Sequence, residues 1–125
     1  MDHSPRFLRI VNETKARIRE LSVAQVRERL DKGEPFALID VREDREWDEG
    51  HVKGAAHIGR GVLERDIERA FPEMETEIVL YCGGGFRSAL AADMLQRMGY
   101  TRVYSMDGGW RAWNDTGGPT EGAKR

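Results

Sequence analysis

The sequence predicts an α/β domain built on a mainly parallel sheet. Three short apolar runs, "FALIDV" (36–41), "EIVLYC" (77–82) and "RVYSM" (102–106), have the β-branched and aromatic content of buried strands. Segments with helical spacing lie between them, and that alternation implies βαβ units. Crossovers in such units are right-handed in nearly all cases, and ligands gather beyond the carboxyl ends of the strands. Asp40–Arg42, Cys82–Ser88 and Ser105–Gly109 accompany the ends of the three runs, so they are expected to share one edge.

The elements follow in order. Residues 5–20 read as a helix with Phe7, Ile10, Val11 and Ile18 on a loose apolar face. "LSVAQVRERLDKG" (21–33) reads as a second helix, with Ser22 as its N-cap and Gly33 closing it. The strand at 36–41 follows Pro35. "REDREWDEGHV" (42–52) is polar and is expected to hold a short helix, and "AAHI" (55–58) a brief strand or extended link. "GVLERDIERAF" (61–71) is helical and stops before Pro72. After the strand at 77–82, "SALAADMLQRMG" places Ala91, Met94, Leu95 and Met98 at helical spacing, with Gly99 at C′. "GGWRAWNDTG" (108–117) is a last short helix before a polar tail.

A chain of 125 residues suits one domain. The net charge of −2, with acidic and basic residues intermixed, offers no basis for binding nucleic acid or an anionic membrane. No apolar stretch is long enough to span a bilayer, and the charged N-terminus has no signal-peptide core, so a cytoplasmic location is expected. Cys82 is the only cysteine, which excludes an internal disulfide or a CxxC pair. His3, His51 and His57 show no metal-ligand spacing, and neither a metal nor another cofactor is expected.

The chemistry centres on "YCGGGFRSA". Cys82 ends a strand and a helix begins near Arg87 or Ser88. A helix N-terminus offers unpaired N–H groups and the positive end of its dipole. Gly83, Gly84 and Gly85 let the backbone turn tightly and direct successive amides inward as an anion nest. A thiol at the mouth of that nest, beside Arg87, is expected to ionise readily, and the thiolate is the nucleophile. A buried core cysteine would explain neither the glycines nor the arginine. The charge of Arg87 opposes the helix dipole, which makes sense if an anion lies between them. Ser88 reads as a cap. His51 and His57 read as loop or core histidines rather than general bases, so activation of the thiol would be electrostatic. Trp47, Trp110 and Trp113 read as core.

These motifs resemble the rhodanese family of sulfurtransferases over roughly residues 22–119. "LIDVREDREWDEGHVKGAAHI" (38–58) resembles the family's first signature, "VLYCGGGFRSALAADML" its active-site loop, and "GGWRAW" (108–113) its closing motif. The resemblance implies a rhodanese-like three-layer fold: a five-stranded, mostly parallel sheet with helices on both faces. It implies sulfane-sulfur transfer through a persulfide on Cys82, cradled by the amides of Gly83, Gly84, Gly85, Phe86, Arg87 and Ser88. Asp40 and Arg42 would brace the loop, and Gly108 and Gly109 would let the last helix pack close, anchored by Trp110. The implied partners are a small sulfur donor, thiosulfate or 3-mercaptopyruvate, and a cyanide, thiol or protein acceptor. Residues 1–21 resemble an extra helix found before some single-domain members, covering an edge or a partner site. Residues 120–125 form a polar tail.

Two rivals remain. Cysteine–arginine phosphatases and arsenate reductases place five residues between the two side chains, whereas Gly83–Phe86 make four. That smaller loop suits one sulfur better than a tetrahedral oxyanion. A non-enzymatic sulfur-carrier or interaction module on the same scaffold is the other.

Overall fold

The computed structural model describes residues 3–122. Ser4 opens the first helix, its Oγ accepting the Phe7 amide at 3.3 Å, and Pro5 sits in the first turn, where its missing N–H costs nothing. This helix, α1 (Pro5–Lys15), ends earlier than the expected span of 5–20. Arg19–Leu21 instead forms a strand, β1. Its pairing with the sheet overrides a weak helical pattern: Leu21 is buried and its carbonyl accepts the Asp107 amide at 2.9 Å. Ser22 then caps α2 (Val23–Asp31) through a reciprocal capping box with Gln25, both bonds at or under 3.0 Å.

The remaining elements are β2 (Ala37–Asp40), α3 (Asp44–Glu49), β3 (His51–Val52), β4 (Ala56–His57), α4 (Leu63–Ala70), β5 (Glu77–Tyr81), α5 (Phe86–Met98), β6 (Arg102–Met106), α6 (Gly109–Asp115) and β7 (Thr120–Glu121). Five strands make one sheet in the order β1-β6-β5-β2-β4, and every pairing in it is parallel. Val52 and His51 pair antiparallel with Thr120 and Glu121, so the expected polar tail begins with a short ribbon strand. The rest of that tail, residues 123–125, lies outside the described residues, as do residues 1 and 2 of the N-terminal extension.

The sheet separates two cores by the period-two alternation of its strands. Ile39, Ile78, Leu80 and Val103 face α4 and α5, meeting Leu63, Ile67, Ala91 and Leu95. Leu38, Val79, Tyr81 and Met106 face the other side, meeting Val23 and Val26 of α2 and Trp113 of α6. Each buried Val, Leu, Ile or Met among them contributes about 1.5–3 kcal/mol by leaving water. α1 packs over α5 on the first face. Among the described residues no helix is long and apolar enough to cross a membrane. Because all five strands run the same way, the residues following β2, β5 and β6 emerge together at one edge.

Candidate active site

Cys82 follows β5, the central strand, and its side chain is 1% exposed. The backbone turns at once into α5. Gly85 makes the turn at φ 97°, and a Cβ there would lie 3.2 Å from the Gly108 nitrogen, so the position requires glycine. Gly83 and Gly84 lie outside the left-handed region. The turn points two amides at the sulfur: Gly85 N–H at 3.2 Å and Ser88 N–H at 3.3 Å. These are the donors to Sγ among the described residues; the amides of Gly83, Gly84, Phe86 and Arg87 make no such bond.

Ser88 is not the helix cap. Gly85 holds that place, α5 begins at Phe86, and Ser88 lies inside its first turn. Its Oγ is 3.5 Å from Sγ and 2.8 Å from the Ser105 hydroxyl at the end of β6. Both serines are fully buried. The thiol can donate to Ser88; once ionised, it can accept a hydrogen bond from the Ser88 hydroxyl while Ser105 remains hydrogen-bonded behind. Ser105 was legible only as a polar residue at the carboxyl end of a buried strand.

The outer side of the loop is fixed by α6. The amides of Trp110 and Arg111 donate to the carbonyls of Cys82 (2.7 Å) and Gly83 (3.0 Å). Gly109, at φ 56°, has no room for a side chain: a Cβ would lie 2.9 Å from the Gly83 carbonyl carbon and closer still to the Cys82 oxygen. These bonds fix the first two peptides of the loop, from which the chain runs on to the Gly85 amide at the sulfur.

Asp40 and Arg42 form a buried ion pair. Arg42 donates Nη2–H to Oδ2 (2.9 Å) and Nε–H to both carboxylate oxygens (3.1 Å each), and its amide also bonds Oδ1 (2.8 Å). Nη2 also reaches the Gly50 carbonyl at 2.6 Å, tying down the end of α3. The guanidinium lies 4.7 Å from the Trp110 ring, the residue whose amide holds Cys82. Burial and the charge of Asp40 push the neighbouring Tyr81 hydroxyl far above the usual tyrosine range, so it remains neutral and accepts the Val52 amide at 3.0 Å.

Arg87 faces an anion, but one from its own chain. Its Nη1 and Nη2 donate to the two oxygens of Glu46 at 2.9 and 3.2 Å. Glu46 Oε1 also accepts the Glu43 amide at 2.9 Å. The Arg87 bond holds the Glu46 carboxyl below the usual range, and Glu46, followed by Cys82, keeps Arg87 more firmly protonated. Nothing in the charged run around Glu46 marked it out from its neighbours in sequence.

Trp47 is not core: it is half-buried and stacks between His51 (3.3 Å between ring centres) and His57 (4.9 Å). Trp110 is also half-buried, whereas Trp113 is fully enclosed. The two histidines bond backbone carbonyls, His51 Nδ1 at Trp47 and His57 Nε2 at Arg42. At Cys82 opens a cavity of about 610 Å³, lined by Arg45, Glu46, Arg87 and Arg111 together with Phe7 and Phe86.

The arrangement matches a known family. The model of the rhodanese-like domain covers residues 22–116. The chain belongs to the rhodanese-like domain family. It is 34% identical over 100 residues to the thiosulfate sulfurtransferase GlpE of Pseudoalteromonas translucida, covering 76% of this chain and 88% of that protein. It is 30% identical over 102 residues to the "Putative sulfur carrier protein YrkF" of Bacillus subtilis, covering 82% of this chain but only 54% of YrkF. Among solved structures, a Rhodopseudomonas palustris protein of unknown function, described as a possible tyrosine phosphatase, superimposes with a TM-score of 0.86. That match is at 32% identity and covers 97% of this chain and 99% of the other.

Two predictions follow from the charged framework of this rhodanese-like domain. Arg42→Met leaves Asp40 buried without a partner and is expected to lower unfolding free energy in urea by about 3–5 kcal/mol; adding Asp40→Leu should recover much of the loss. The depressed Glu46 pKa means that its clasp on Arg87 stabilises the fold fully above the ordinary glutamate pKa of about 4.3 and is lost as pH falls through the lower folded value. The gap in urea midpoint between the unmodified protein and Glu46→Gln should therefore narrow between pH 6 and pH 3.

Proposed function

We propose that the protein is a sulfurtransferase that moves a sulfane sulfur from thiosulfate, or a related donor such as 3-mercaptopyruvate, to a thiophilic acceptor through a persulfide on Cys82. The observation that carries this reading is the pair of amides, from Gly85 and Ser88, directed at one sulfur atom at the start of α5. The helix dipole adds its positive end there.

In the first half-reaction the Cys82 thiolate attacks the outer sulfur of thiosulfate. A Cys82–sulfur bond forms, the donor's S–S bond breaks, and sulfite leaves with the bonding electron pair. The negative charge then rests on the terminal persulfide sulfur, where preorganised amides stabilise it. The Ser88–Ser105 pair ends in the interior, so it supplies a hydroxyl donor to the sulfur rather than a proton path to solvent. In the second half-reaction cyanide, or a small-molecule or protein thiol in the cytoplasm, takes the outer sulfur and Cys82 leaves as thiolate. The scheme is a double displacement.

The name of GlpE supports a thiosulfate donor. The description of the R. palustris protein favours phosphate-ester hydrolysis, but two features here oppose it. The loop has four residues between Cys82 and Arg87, and Glu46 already engages one N–H on each terminal nitrogen of Arg87, leaving fewer donors for a tetrahedral oxyanion.

Incubation with thiosulfate is expected to add the mass of one sulfur atom to the intact chain, removable by a thiol. Cys82→Ser should fold and take up none. Aryl phosphates should not be hydrolysed. Steady phosphatase turnover with no sulfur adduct would reverse the assignment, and an adduct that forms without multiple turnover would make the protein a carrier rather than an enzyme.

A further inference from the structure

Ser105 stands where the sheet's pattern asks for an apolar side chain. It lies two residues after Val103 on β6 and pairs in register with Leu80 of β5, and both of those side chains belong to the core under α4 and α5. Ser105 nevertheless brings a hydroxyl to this place, with no exposure to solvent. A hydroxyl taken out of water is costly unless it is hydrogen-bonded. Its side-chain partner among the described residues is Ser88, at 2.8 Å.

Ser88 departs from the ordinary in turn. A serine inside a helix usually turns its hydroxyl back to a carbonyl one turn earlier, here that of Gly84 or Gly85. Ser88 makes neither bond among the described residues; its oxygen instead meets the Ser105 hydroxyl and lies 3.5 Å from Sγ of Cys82. Each hydroxyl has one proton to donate. An ionised Cys82 can only accept, so Ser88 must direct its proton to the sulfur and Ser105 must donate to Ser88. In that direction both protons are used, and the outer bond polarises the inner one. With Cys82 as a thiol, three hydrogens compete for the same two contacts.

We propose that Ser105 is a positioning residue for the nucleophile: by donating to Ser88 it keeps that hydroxyl off the helix backbone and aimed at Cys82, which favours the ionised sulfur. Ser105 does not line the cavity and acts through Ser88 alone. The inference goes beyond the sulfur-transfer reading, because it concerns the free thiol before any donor arrives.

The test reads ionisation of Cys82 directly, from the ultraviolet band of the thiolate as pH is raised, with Cys82→Ser as the blank. Ser105→Ala is expected to lower the ionisation constant about threefold, the effect of losing one modest hydrogen bond. Ser105→Thr keeps the hydroxyl and should stay near the unmodified value. Ser105→Val, of the same shape without the hydroxyl, should fall as Ser105→Ala does, which separates the hydroxyl from side-chain size. In a Ser88→Ala background, Ser105→Ala should change nothing further. Ionisation of Ser105→Ala and Ser105→Val at the unmodified value, or an equal loss in the Ser88→Ala background, would overturn the inference with sulfur transfer intact. Failure of the unmodified protein to load sulfur from thiosulfate would instead overturn the sulfur-transfer reading and leave the ionisation result standing.

Discussion

At Gly109 the last helix comes so close to the Cys82–Gly83 peptide that no side chain fits between them. The geometry at the sulfur depends on this approach. It lets the Trp110 and Arg111 amides take the carbonyls of Cys82 and Gly83, leaving the loop's later amides to turn inward. A loop with free carbonyls could rotate its peptides and lose the alignment of Gly85 and Ser88 on Sγ. Gly85 makes the complementary demand on the other side of the turn, against the Gly108 backbone. The two glycines lock together the ends of strands β5 and β6, which adjoin in the sheet.

A second layer of charge holds this arrangement in place. Arg42 joins three parts that are separate in sequence: the end of β2 through Asp40, the end of α3 through the Gly50 carbonyl, and α6 through the Trp110 ring. Glu46, on the same α3, holds Arg87 at the start of α5. The His51–Trp47–His57 stack seats α3 between these two contacts. Asp40 and Arg42 make backbone, carboxylate and ring contacts away from the cavity, whereas Arg87 lines the cavity itself.

Most of the fold was legible because its signals are local. The apolar runs at 36–41, 77–82 and 102–106 became β2, β5 and β6, and Ser22 and Gly99 bounded helices as their chemistry suggests. What was not legible depends on partners distant in sequence. Arg19–Leu21 has no strand pattern of its own and becomes β1 only beside β6. His51–Val52 and Thr120–Glu121 are two residues each and gain meaning only from each other. In the site, Cys82 and its glycines stood out by composition. Ser105 and Glu46 did not, since a serine in a strand and a glutamate among charges are ordinary until the fold places them against Ser88 and Arg87. The role of Ser88 was misplaced because its hydroxyl turns toward Ser105 and the sulfur rather than capping the helix.

The central claim is that the close approach of α6 aligns the amides that stabilise charge on the Cys82 sulfur. Gly109→Ala tests it most directly, since the added methyl group would press on the Cys82 and Gly83 carbonyls, 2.9 Å or less away. The decisive measurement is the rate at which the folded variant, checked by near-ultraviolet circular dichroism, acquires sulfur from thiosulfate. The account predicts native-like circular dichroism with sulfur loading slowed by about tenfold or more, the scale on which loss of one preorganised donor acts. A folded variant that loads sulfur at the unmodified rate would contradict it.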